Sequence, residues 1–530
     1  MRRPGGAGAL AGLLVAAGLL RLVHLERVPN AAHDEGNWLL AAWDLYQGRP
    51  AELPPDARFV GILFARLLAL SWRLGHPGFA WARAVPAVGS LVGIALAALA
   101  LRRLHAPRAS WVLAGTLGLH PWAVLWSRNV VSPYALSLAL AALSTLAVAH
   151  AWERSPRWPR VARVLAGQLL ALGFQFSPLA ALPVAGCALY AARARRLGAW
   201  LRAPGTALAL GLAALQVAPV ALSASAVAAR GSTRPSALAD HLPARLFNYA
   251  RTLLGALDGE ATLRDFTGRE LPPAGEALAA LAVVTALVAS RWRPPERHRA
   301  LLDLAWCQLV TGALGLAVLL APLRQWHLPS VDAERYGFVV LGPAALVFAL
   351  ASERVNAVWG ALCVALAAQG SLRAARFFAG GGSPDRGVFT ALGGGGSRRW
   401  KVCQEHEALP GLLVEAAWAA AGRRPAVLVV ADYVFHPLHF ANRHRHHTLV
   451  DASWQAIPEG GGTYVFVLWS PGVFAPGFAP RAMPEANARL RLELERGPWR
   501  DRRRVRVLVQ PDGSPLLELW AATRSGSSGS

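Results

Sequence analysis

The densest cluster of groups that could do chemistry is His33-Asp34-Glu35, followed by Trp38, Trp43, Tyr46 and Gly48 and then by Pro54-Pro55-Asp56. A carboxylate partly screened from water by aromatic rings and lipid has a raised pKa and can act as a general base. The same residues would also make a solvated charge pair beside a membrane helix, since many perturbed carboxylates are structural. The apolar runs of the chain hold only neutral polar groups centrally (Gln168, Gln175, Gln216), with Glu276 and Asp303 near run ends. An ion-coupled transporter needs ionisable groups near the midplane and often an internal repeat. The sequence shows neither, which favours chemistry at the membrane face over transport.

These residues must be held by a very apolar chain. Of 530 residues, 54% are hydrophobic and 16% charged, against roughly 25% charged in a soluble domain. That excludes a soluble enzyme, a disordered chain and a small secreted scaffold. The expected fold is an α-helical polytopic membrane protein of eleven spans. The first is the run Ala7–Leu20, and the rest fall near 83–101, 110–126, 131–149, 162–176, 179–192, 206–225, 276–290, 301–321, 337–351 and 356–372. The pair 162–192 is short for two crossings, with Ser177-Pro178 at its turn. The net charge of +23 would suggest nucleic acid in a soluble protein. Here the arginines sit in short loops between apolar runs, so topology explains them and no nucleic-acid partner is expected.

Alternate loops differ in charge. One set (Arg2 and Arg3, then loops 102–108, 153–163, 193–202, 291–299 and Arg354) holds eighteen arginines against Glu153, Glu296 and Glu353. The long loops 26–83 and 227–275 are balanced. The positive-inside rule then places the N-terminus in the cytoplasm and residues beyond 372 outside, in the plasma membrane of a bacterium. Phe59–Leu74 is apolar enough to span, but crossing would reverse every later loop. Arg66 and Arg73, seven apart, share one helical face, so the segment reads as an amphipathic helix in the outer interface.

Four regions are expected: a transmembrane catalytic domain over 1–372 with its first outer loop at 26–83, a Gly-rich linker over 373–400, a small soluble α/β domain over 401–524, and a disordered tail at 525–530. In the soluble part, helices near Leu412–Ala421 and Ala486–Glu495 alternate with strands near Ala426–Val430, Tyr464–Leu468, Val505–Val509 and Leu516–Ala521. Cys187, Cys307 and Cys363 lie in apolar spans and Cys403 stands alone, so no disulfide framework or CxxC site follows.

Five segments in order carry a resemblance: DEGNWLLAAWDLYQG from Asp34, PPDARFVGILFARLLALSWRLG from Pro54, AWARAVPAVGSLVG from Ala80, WSRNVVSPYAL from Trp126 and ERYGFVVLGPAAL from Glu334. Over roughly residues 10–370 the chain resembles the GT-C membrane glycosyltransferases, in particular the protein O-mannosyltransferase and lipid A aminoarabinose transferase group. The resemblance implies transfer of a hexose or pentose from a polyprenyl-phosphate-linked donor to a hydroxyl acceptor, with inversion and without a nucleotide. It makes Asp34 the base that takes the acceptor proton, with Glu35 orienting or binding beside it. The phosphate leaving group needs a permanent, bidentate cation. Arg335 with Tyr336, Arg128 and Arg83 all fall at outer span ends and are the candidates to contact that phosphate or the loop carboxylates; each could instead snorkel to the interface.

Some members of the group hold a divalent cation near this loop. His33, Glu52 and Asp56 are ligand types that could serve one here, although Glu52-Leu53-Pro54-Pro55-Asp56 departs from the group's basic residue or His followed by Pro-Pro-Leu. The histidines His436, His439, His444, His446 and His447, interleaved with Arg443 and Arg445, read as a solvated loop rather than a metal site. A polysaccharide ligase or a lipid-linked-sugar flippase is the alternative function; a flippase would tolerate loss of Asp34.

Overall fold

A segment without water partners must satisfy its own backbone N–H and C=O groups, and a helix does so within one stretch of chain. The computed structural model describes residues 5–26, 33–51, 62–130, 133–153, 157–230, 249, 253, 296–320, 337–353, 355–379, 409–431, 435–470, 482–509 and 515–524. Its helical part runs α1 (Gly5–Leu22), α2 (His33–Tyr46), α3 (Leu63–Leu74), α4 (Phe79–Arg103), α5 (Pro107–Leu119), α6 (Pro121–Trp126), α7 (Tyr134–Glu153), α8 (Pro159–Phe176), α9 (Ala181–Arg193), α10 (Leu197–Arg202), α11 (Thr206–Arg230), α12 (Glu296–Leu320), α13 (Phe338–Ser352) and α14 (Ala357–Ala379). Among the described residues, Phe79–Arg103, Tyr134–Glu153 and His298–Ala317 are long and apolar enough to cross a bilayer. Shorter apolar helices lie at Ala7–Leu22, Pro178–Arg193, Thr206–Ala221, Phe338–Ser352 and Ala357–Ser371. The expected span 276–290 lies outside the described residues.

Local chemistry explains where helices differ from the apolar runs. The run 110–126 is two helices, because Pro121 has no N–H to continue α5 but suits the first position of α6. His120 Nδ1 caps α6 by accepting the Trp122 N–H at 3.2 Å. Between α8 and α9 a 3-10 turn spans Pro178–Ala180, and Ser177 Oγ accepts from Leu179 N–H. The last helix, α14, continues to Ala379, past the expected boundary at 372.

Small residues let the helices approach closely, as in membrane bundles generally. A Cβ on Gly312 of α12 would stand 2.6 Å from the Val339 carbonyl oxygen, and one on Gly93 of α4 would stand 2.6 Å from Ala139 Cβ of α7. Gln308 joins three helices inside the bundle: its Oε1 accepts from Thr145 Oγ1 at 2.5 Å, and its Nε2 donates to the Pro183 carbonyl at 3.3 Å.

Hydrogen bonds sort helix ends into two groups. At one end His298 meets the Leu104 carbonyl and Glu353 accepts from Ala109 N–H. At the other, the end of α1, the start of α4 and the end of α6 converge on the arginines described below. The amphipathic segment is α3, which buries Phe64, Ala65, Leu68, Ala69 and Trp72 and exposes Arg66, Leu70 and Arg73.

The C-terminal part adds α15 (Leu409–Ala420), β1 (Val427–Val430), α16 (Phe435–Ala441), β2 (Thr448–Asp451), β3 (Gly462–Trp469), α17 (Ala482–Arg496), β4 (Arg500–Val509) and β5 (Pro515–Arg524). The strands form one mixed sheet in the order β2-β1-β3-β5-β4, parallel across β2, β1 and β3 and antiparallel across β3, β5 and β4. Alternation along each strand fills two faces. Leu428, Val430, Val465 and Val467 pack with Leu412 and Leu413 of α15, while Val429, Tyr464, Phe466 and Leu468 pack with Leu490 and Leu494 of α17.

Candidate active site

Asp34 and Glu35 lie in the first turn of α2, where carboxylates are favoured by the helix dipole. The Glu35 side chain is wholly buried. Its Oε1 accepts from Arg83 Nε and its Oε2 from Arg83 Nη2, both at 2.8 Å, and Oε1 also accepts the Val130 N–H at 3.0 Å. This bidentate fork ties the start of α2 to α4 and to the chain just after α6. With both oxygens engaged, Glu35 is an anchor, and the residue beside it in the same turn is Asp34.

Arg83 does more than pair with Glu35. Its Nη1 donates to the carbonyls of Leu25 and Glu26, at 3.0 and 3.2 Å, and Glu26 Oε2 in turn accepts from Ala80 N–H at the start of α4. Arg128 donates to the carbonyls of Leu20 (2.7 Å) and Val23 (2.5 Å). Arg21 donates to Gly118 (2.6 Å), Leu117 (3.3 Å) and Ala17 (3.0 Å). All three guanidiniums are fully buried. The last carbonyls of a helix have no intrahelical donors and carry its negative pole, so Arg128 and Arg83 close the end of α1 and Arg21 closes the end of α5.

This placement bears on the expectation that Arg83 and Arg128 face a lipid phosphate. In this structure neither snorkels and neither reaches solvent; one holds Glu35 and both hold backbone carbonyls. Arg335 and Tyr336 lie outside the described residues, as do Glu52 and Asp56. Among the described residues no group of three His, Cys, Asp or Glu comes together to hold a metal ion.

Below the anchored turn, α2 packs on α3 and the start of α4 through rings. Trp38 meets Phe64 edge-on at 5.1 Å, Trp43 stacks on Tyr46 at 5.4 Å, and both Trp43 and Tyr46 meet Trp72 edge-on. Phe440 of α16 enters this cluster, stacked on Trp72 at 5.1 Å with 15° between planes and edge-on to Phe79 at 5.4 Å.

The His/Arg stretch read as a solvated loop is therefore a helix and a 3-10 turn, Asn442–His444, packed against α2. The correction has a simple cause: Leu438 and Phe440 are fully buried between exposed polar neighbours, and the polar residues mask them in sequence. His447 is buried with Nδ1 accepting the Ala426 N–H at 2.9 Å and Nε2 3.2 Å from the Val414 carbonyl. Both ring nitrogens are committed to backbone, which suits a structural role. Sequence reading also passes over Arg21 and Glu26; the one visible signal is a charge at the end of an apolar run.

No family model matches the chain, and no curated protein matches it. Among solved structures it is similar to a crystal structure of ArnT from Cupriavidus metallidurans bound to undecaprenyl phosphate, at 13% identity and TM-score 0.44, covering 99% of each chain. It is similar also to the apo state of that protein, at 14% identity and TM-score 0.40, covering 97% of this chain and 98% of that one.

Proposed function

We propose that the chain is a membrane glycosyltransferase that moves a hexose or pentose from a polyprenyl-phosphate-linked donor to a hydroxyl acceptor, with inversion, at the outer face of a bacterial plasma membrane. The observation that carries the reading is the buried Glu35–Arg83 fork at the start of α2. Desolvating two charges costs several kcal/mol per ion, and apolar residues of equal volume are often as stable. An ion pair kept at this helix start makes sense as a device that fixes the neighbouring residue, and the segment around it carries the resemblance to the GT-C group. On this reading Asp34 takes the acceptor proton as the hydroxyl attacks the anomeric carbon and the polyprenyl phosphate departs. Arg335 and Tyr336 receive the developing phosphate charge, and Arg83 and Arg128 act through the helix ends they hold. No step requires a metal.

The orientation that goes with this has eleven spans, the arginine-rich loops and N-terminus in the cytoplasm, and the C-terminal sheet unit outside. A cysteine placed at Pro295 and labelled from outside by an impermeant reagent would overturn that orientation. The catalytic assignment is tested by Asp34→Asn in proteoliposomes supplied with defined polyprenyl-phosphate sugars. Transfer should fall roughly 10²–10⁴-fold, the range for loss of a general base, with donor binding retained. Turnover at the unmodified rate would end the assignment, and survival of donor translocation alone would favour the flippase.

A further inference from the structure

The contacts of α16 with the first-loop helices are unlike an incidental brush between two units. Phe440 is fully buried, and the cluster that buries it belongs to α2, α3 and the start of α4. Arg443, in the turn after α16, lies with its Cζ 5.1 Å from the Trp43 ring centroid and 4.2 Å from that of Phe440. Its Nη2 donates to the Pro77 carbonyl at 2.7 Å and its Nη1 to the Phe440 carbonyl at 2.9 Å. His444 meets Trp43 edge-on at 5.5 Å. The contacts continue inward. Phe440 touches Phe79, Arg83 Cζ lies 5.8 Å from the Phe79 ring centroid, and Arg83 grips Glu35. A packed chain of side chains thus leads from the C-terminal sheet unit to the turn that carries Asp34.

We propose that Phe440 and Arg443 are positioning residues, through which the C-terminal unit holds α2 and the Arg83–Glu35 fork in the working geometry. The catalytic part of this statement rests on the function proposed above; the mechanical part does not. Packed side chains of this kind transmit displacement because close-packed interiors resist compression, and a misplacement of about 1 Å far from the chemistry can cost about 10²-fold in rate.

The test uses the full chain in lipid nanodiscs, with Phe440→Ala, the milder Phe440→Leu, Phe440→Tyr as the conservative variant, Arg443→Gln, and Arg445→Ala as control. Arg445 pairs with Glu415 on the far side of the turn. Two readouts are taken: hydrogen exchange resolved to residues 33–46 and to β1 and β3, and sugar-transfer kinetics. Phe440→Ala and Arg443→Gln should speed exchange across α2 while the strands stay protected. They should lower kcat by roughly 10- to 100-fold with the donor KM within about twofold, because orientation rather than binding is lost; Phe440→Tyr should restore both. Unchanged exchange in α2 for Phe440→Ala, Phe440→Leu and Arg443→Gln would overturn the proposal, and so would an equal effect of Arg445→Ala or a rise in KM alone. Wild-type protein without transfer activity would sink the enzymatic reading, while faster α2 exchange in the variants would still support the mechanical coupling.

Discussion

The two ends of α2 are held by arginines in opposite ways. At the first turn Arg83 is wholly buried and meets a wholly buried carboxylate through two parallel 2.8 Å hydrogen bonds. Toward the last turn Arg443, half-buried, lies over the faces of Trp43 and Phe440 and bonds to backbone carbonyls. Burial also holds the Arg443 guanidinium down to about 10. The first arrangement is directional and intolerant, since either partner alone is a buried unpaired charge. The second is broad, because a ring face accepts a cation over a range of positions and stacked rings can slide. A helix that must place one residue accurately and still accept a neighbouring unit would be expected to use the stiff contact next to that residue and the soft one away from it.

The comparison breaks most clearly at Arg83. Arg83→Ala leaves Glu35 buried without its cation and the Leu25 and Glu26 carbonyls without a donor, and should cost about 3–5 kcal/mol, read as a lower thermal midpoint in detergent. The double replacement Arg83→Met with Glu35→Leu should recover much of that loss while transfer stays impaired. A recovered activity would show that the fork serves stability only. Next in size, Glu35→Gln keeps the shape but halves the fork's charge, and should cost about 1.5–3 kcal/mol, the range for hydrogen bonds to charged groups. Salt should not alter that loss, because buried pairs are little screened.

At the other end, Arg443→Leu should cost only about 0.5–2 kcal/mol, the span of cation–π contacts. A loss as large as that at Arg83 would erase the distinction between the two contacts. The smallest effect concerns pH. Burial first of all holds the His447 imidazole below its usual 6.5, and Nδ1 can accept the Ala426 N–H only while unprotonated. The unfolded chain therefore binds this proton more readily than the folded one. The contribution is complete above about pH 6.5 and is lost as pH falls below it toward the lower folded value. Protection of β1 from hydrogen exchange should weaken between pH 6.5 and 5.5 more in the parent chain than in His447→Gln; parallel profiles would remove His447 from the account.

Hydrophobic run length set most of the helices, and the seven-residue spacing of Arg66 and Arg73 foretold the amphipathic face of α3. The strands β1, β3, β4 and β5 stood out as apolar runs between turn residues. Two elements did not stand out. The strand β2 has four residues, Thr448–Asp451, too few for a period to show, and α16 carries its apolar residues between histidines and arginines. Both owe their structure to neighbours, β2 to pairing with β1 and α16 to the rings that receive Phe440.

What the sequence by itself determined is therefore local: where the chain is helical, that an Asp-Glu pair opens a helix next to aromatic residues, and that arginines cluster at the ends of apolar runs. Which arginine meets which partner was decided only by the tertiary structure. Arg83 and Glu35 lie 48 positions apart and Arg128 and Leu20 108 apart, so each contact exists only because three helix ends converge. Nothing in a residue's own neighbourhood tells a guanidinium whether it will face a phosphate, a carboxylate or the bare carbonyls of another helix. The answer depends on which unsatisfied acceptor the packing brings within 3 Å of a cation that cannot remain buried alone.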